Sequence, residues 1–171
     1  EDVDETTLPD SADTIERVLA EAEGTDLVGI WACGDVHRGF ANSLGQRNWF
    51  TSKSFHLDWS LYARADKAVK ASYAGRLWDD GEFTAIMDRA RAEVAAVARP
   101  ARTIDPGGYR VFLAPAAVAE IVDMLSWGGF SLKAQRTRQS CLMAAIEGQP
   151  LSPLVTLKEN TADGFAPNFQ A

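Results

Sequence analysis

The stretch FHLDWSLY, Phe55–Tyr62, decides the fold. Phe55, Leu57, Trp59 and Leu61 alternate with His56, Asp58, Ser60 and Tyr62, the period of a strand with one buried and one wet face. Working outward, Leu27–Cys33 and Val36–Ala41 read as paired strands joined through Gly34–Asp35, since Gly and Asp suit a tight hairpin. Asn42–Ser43–Leu44–Gly45 is the next turn, and Asn48–Thr51, Phe55–Ala63 and Lys67–Tyr73 continue as strands. The result is an antiparallel meander from Asp26 to about Gly75.

Helical periodicity brackets the meander. Asp10 or Ser11 can cap a helix whose stripe is Ile15, Val18, Leu19 and Ala22, ending near Gly24. A second helix spans about Asp80–Arg99, with Phe83, Ile86, Met87, Ala90, Val94 and Val97 on one face. Pro100–Pro106 breaks it. A short strand, Tyr109–Leu113, then runs through Ala114–Pro115 into a helix striped by Val118, Ile121, Val122 and Leu125, and Leu154–Leu157 reads as a late strand. The fold class is α+β: an antiparallel meander flanked by helices, then a strand–helix unit. The pattern divides the chain into an acidic linker (1–10), a meander subdomain with two helices (11–105) and a strand–helix subdomain truncated at its C-terminal end (106–171).

Composition narrows the function classes. The 171 residues are 46% hydrophobic and 24% charged, typical of a globular protein, and no apolar run approaches a membrane span. The acidic start, EDVDETTLPDS, is unlike a secretory or transit signal. Two cysteines, Cys33 and Cys141, are too few for a disulfide framework and suit a reduced, cytoplasmic compartment. A net charge of −7 argues against sequence-independent binding to nucleic acid.

Candidate chemistry is sparse. There is no nucleophile elbow, phosphate loop or dinucleotide fingerprint. Cys33 and His37 have a Cys-xxx-His spacing, but no third ligand lies nearby, and they read as ordinary strand residues. Cys141, downstream of Arg136 and Arg138, is the more plausible reactive thiol. Trp31, Trp49, Trp59, Trp78 and Trp127 suit a core or an interface as well as a groove. Lys133, Arg136, Arg138 and Ser140 form a basic, hydroxyl-bearing segment able to contact a carboxylate or backbone carbonyls.

The succession YRVFLAPAAVAEIVDMLSWGGFSLKAQRTRQ (Tyr109–Gln139), with ANSLG (Ala41–Gly45), PLVTLKEN (Pro153–Asn160) and GFAPNF (Gly164–Phe169), resembles the TldD/PmbA peptidase family, also called modulators of DNA gyrase. The likeness runs from about Ile15 to Phe169. Catalytic members carry an HExxxH zinc motif on the helix that starts here at Pro115. The matching positions hold Asp123, Met124 and Gly128, so the resemblance implies a member without the zinc motif and a chain that is a middle piece of a longer one. It further implies a non-catalytic subunit with no cofactor of its own, paired with a catalytic paralogue or with itself. Zinc would sit in the partner subunit. The substrates would be unfolded or precursor peptides, with Lys133, Arg136, Arg138 and Ser140 along the peptide channel. A scaffold or interaction domain with no role in proteolysis is the alternative. With flanking domains absent, the sheet edges and the Val118–Leu125 face are expected to be uncovered.

Overall fold

The computed structural model describes residues 6–64, 66–149, 151–160, 166–167 and 169. The chain forms two compact units, one from Glu1–Thr103 with Asn160–Ala171, the other Ile104–Glu159. Half of GFAPNF (164, 165 and 168) falls outside the described residues, as does the first half of the acidic linker.

The first unit is built on a three-stranded antiparallel sheet in the order β1-β2-β3, with β1 Asp26–Ala41, β2 Arg47–Arg64 and β3 Lys67–Gly75. The meander expected from the sequence is present, but its strands are fewer and longer. No hairpin forms at Gly34–Asp35: β1 runs straight through, with Gly34 opposite Ser54 and Asp35 opposite Lys53. A tight primed turn requires positive φ, which neither residue has, and an unbroken partner strand satisfies their backbone groups instead. The reversal falls at Asn42–Gln46. There Asn42 Oδ1 accepts from Leu44 N–H at 3.0 Å and Gln46 N–H at 3.1 Å, while Gly45 takes φ +86°. Asn48–Thr51 and Phe55–Ala63 are likewise parts of one strand, β2.

Alternation in β2 sorts its two faces. Phe55, Leu57, Trp59 and Leu61 are buried with Val18, Ala22, Tyr73, Phe83, Met87 and Ala90, so two helices cover one side of the sheet. These helices are α1, Ser11–Glu21, and α2, Asp80–Val97. Asp10 caps α1 by accepting from the Ala12 and Asp13 N–H groups, and Asp79 caps α2 by accepting from Glu82 N–H at 2.7 Å. Neither helix has a base in its last turn. For α2 the sheet supplies them: Arg64 Nη2 donates to Ala98 O at 3.2 Å and Lys67 Nζ to Arg99 O at 3.0 Å, where cations offset the helix dipole. Between sheet and α2 lies an aromatic cluster. Trp31 stacks on Phe55 at 5.5 Å, and Trp78 lies 4.9 Å from Phe83 and 5.0 Å from Tyr73. Burying each such ring contributes about 1.5–3 kcal/mol.

The second unit holds α3 (Pro115–Ser126), α4 (Leu132–Arg136) and α5 (Met143–Ile146). Tyr109–Leu113 and Leu154–Leu157 are not strands. The described strands all pair within the three-stranded sheet, so neither segment has a ladder partner to take its backbone hydrogen bonds. The expected strand–helix unit is therefore helical, and its apolar stripe is not buried: Val118 and Ile121 are exposed, Val122 and Leu125 half-buried.

Candidate functional site

The helix carrying the degenerate zinc-motif positions forms as expected, with Pro115 at its first turn. Asp123 is exposed, and its carbonyl accepts from Ser126 Oγ at 2.6 Å. Met124 is 74% exposed. Gly128 lies beyond the helix end with φ +123°, where Gly129 N–H returns to Leu125 O at 2.8 Å. That backbone conformation strains any residue with a Cβ, so the third motif position is tied to glycine by the way the helix stops. Glu120 and Asp123 belong to the wet face of α3.

The basic segment splits into two kinds of residue. Lys133 and Arg136 are exposed on α4, which Ser131 caps by accepting from Ala134 N–H. Arg138 adopts φ +58° and pairs with Glu147. Ser140 is buried: its hydroxyl donates to Gly129 O at 2.7 Å and accepts from Leu142 N–H at 3.1 Å. It staples the turn after α3 to the start of α5, with both hydroxyl roles used inside the unit. Cys141 is exposed, its Sγ set against Gly129. Cys33 is half-buried and donates toward Pro9 O at 3.8 Å. Burial raises its thiol pKa, the Ser11 hydrogen bond opposes this, and Asp35 and Asp10 add to the rise. Cys33 is thus held as a neutral thiol.

A second constellation, without a local signal in the sequence, lies on the arm where β1 and β2 extend past β3. β3 pairs only with Phe55–Arg64, so Arg47–Ser54 has no strand on its far side among the described residues. Asp35, His37 and Gly39 share one face of this arm with Trp49, Thr51 and Lys53. Trp49 Nε1 donates to Thr51 Oγ1 at 3.1 Å, and Thr51 lies 3.1 Å from His37 Nδ1. An indole N–H can only donate, so the Thr51 hydroxyl accepts from Trp49, and its second hydrogen bond, to His37 Nδ1, takes its direction from the imidazole tautomer. His37 Nε2 faces Asp35 Oδ2 at 3.9 Å. Thr51 is buried, and its hydrogen bond from the indole holds the Trp49 ring over Gly39. A side chain at Gly39 would meet that ring at 3.1 Å, so here glycine is needed for close approach. At the arm's tip Gly39, Phe40, Ala41, Arg47, Asn48 and Trp49 line an open groove of about 540 Å³. Asn48 Nδ2 is buried with no hydrogen-bond partner among the described residues. The tip signal was cross-strand pairing, invisible until the register was known.

Among the described residues no group of three or more His, Cys, Asp or Glu side chains is placed to hold a metal ion, and no helix is long and apolar enough to cross a membrane. Comparison with protein-family models, with curated proteins and with solved structures yields no match to this chain.

Proposed function

We propose that this chain is a TldD/PmbA-like, cytoplasmic protein that serves as the non-catalytic partner of a zinc peptidase acting on unfolded or precursor peptides. The carrying observation is the order of ANSLG, the Tyr109–Gln139 succession and PLVTLKEN, with Asp123, Met124 and Gly128 where a zinc motif would stand. The arm supports a peptide-holding role. The open groove at its tip, lined by Gly39, Phe40, Ala41, Arg47, Asn48 and Trp49, is the surface it would offer to an extended peptide. Lys133 and Arg136 add exposed cations for a carboxylate, whereas Arg138 already has Glu147 and Ser140 is internally satisfied.

The test is peptide turnover by the full-length protein with the partner it brings down from its native cell. Recovery of a near-stoichiometric paralogue bearing HExxxH is expected. Replacing Lys133 and Arg136 with alanine should raise KM about threefold to tenfold, the loss of one or two exposed charge-assisted contacts. Recovery of unrelated proteins only, or unchanged turnover at low substrate, would remove the reading. A scaffold domain is the second reading. Exposed Phe112, Met124 and Trp127 in the second unit favour it, as apolar side chains that suit assembly.

A further inference from the structure

The two outer edges of the sheet are built differently. β3 carries Lys67 and Lys70, and its ladder with β2 slips at Tyr62/Arg64, both devices that keep an edge from pairing with another chain. β1 has neither. Its 16 residues, DLVGIWACGDVHRGFA, contain no Lys or Pro and pair with β2 in one uninterrupted register. On the face away from the helices Val28 is 62% and Ile30 74% exposed. An unguarded apolar edge of this length is a template for a further strand.

We infer that β1 pairs antiparallel with β1 of a second copy of this chain, with Ala32 facing Ala32 across a two-fold axis. Symmetry limits the choice. A dyad normal to an antiparallel ladder passes through an opposed residue pair, so one residue must face its own copy. The only charged side chains on the outer face of β1 are Asp26 and Arg38, and each lies six residues from Ala32. Centring on Ala32 therefore sets Arg38 of each copy opposite Asp26 of the other, closing both ends of the ladder with opposite charges. Between them Val36 meets Val28, and Ile30 meets Gly34, where no side chain obstructs it. On the helix side Asp35 falls opposite Gly29 and His37 opposite Leu27, so no like charges meet. The two sheets become one of six strands. This inference stands apart from the peptidase-partner reading, since it uses only the edge and its charges.

Sedimentation velocity over a concentration series of the 171-residue chain tests it. A reversible dimer is expected. Arg38→Glu or Asp26→Lys should each weaken it about tenfold or more, because two attractive pairs become two repulsive ones. The double exchange Asp26→Arg with Arg38→Asp should restore it. A monomer at all concentrations up to about 100 μM, a dimer indifferent to the single reversals, or a double exchange without recovery would each overturn the pairing. If a charge reversal fails to fold, Ala32→Cys in a Cys141→Ser background replaces it. Opposed residues in a ladder lie about 4.5–5.5 Å apart, within disulfide reach, so oxidation must give a dimer linked at position 32. Absence of that link overturns the register.

Discussion

Tyr73 shows how one side chain ties sheet, loop and helix together. Its ring packs on Phe55 and Trp78, its hydroxyl donates to Glu82 Oε2 at 3.3 Å, and it accepts from Asp79 N–H at 3.1 Å. Burial raises the phenol pKa, the Asp79 N–H opposes the rise, and the nearby Glu82 and Asp79 charges reinforce it. The folded phenol holds its proton more tightly than the unfolded one. Its contribution is therefore complete below the ordinary phenol range, about pH 10, and is lost as pH rises through the folded-state value. Denaturant melts from pH 8 to 11 should show stability falling above about pH 10. Tyr73→Phe should remove that share of the slope while costing about 1–2 kcal/mol at neutral pH through the orphaned Asp79 N–H. An unaltered alkaline slope in the variant would assign the loss to other groups. That Tyr73 lies on a strand was readable from the sequence; its burial and its two hydrogen bonds were not, because they depend on residues of other elements.

At the scale of elements, local signals were read well where the chain satisfies itself. Both helices of the first unit start where an aspartate caps them, and α3 starts at its proline. Asp79→Ala should cost about 1 kcal/mol, and somewhat more if the backbone N–H held by Tyr73 shifts with it; thermal melts monitored by helical circular dichroism would report it. No change in the midpoint would mean that packing of Phe83 and Met87 alone sets the start of α2. Strands were read less well, because a strand exists only with a neighbour. Gly34–Asp35 looked like a turn from composition, yet Ser54 and Lys53 opposite them keep the ladder going. Tyr109–Leu113 has strand composition but no strand beside it among the described residues, and it is not a strand.

For the whole molecule, the two compact units imply separate cooperativity. Pro100–Thr103 carries no helix or strand and is exposed, so its backbone can enter a protease cleft. Brief trypsin treatment should nick first at Arg102, ahead of sites such as Arg64 and Lys67, whose side chains grip the end of α2. Mass spectrometry of the early products checks this; first cleavage within β2 or α2 would mean that the first unit opens before the linker is cut. The apolar side chains of the second unit are more exposed than those of the first, so its melting should come earlier.

The sequence by itself determined the fold class, the helix starts and the buried face of β2, because capping and alternation act within a few residues of one another. It also placed Asp123, Met124 and Gly128 on and just past one helix. Only the tertiary structure decided that β1 runs straight through Gly34–Asp35, which edge of the sheet is left unguarded, and that Thr51, His37 and Trp49 meet on an arm. Those features come from hydrogen bonds and ring contacts between strands distant along the chain, and the register that creates them is fixed by the core the whole unit closes around.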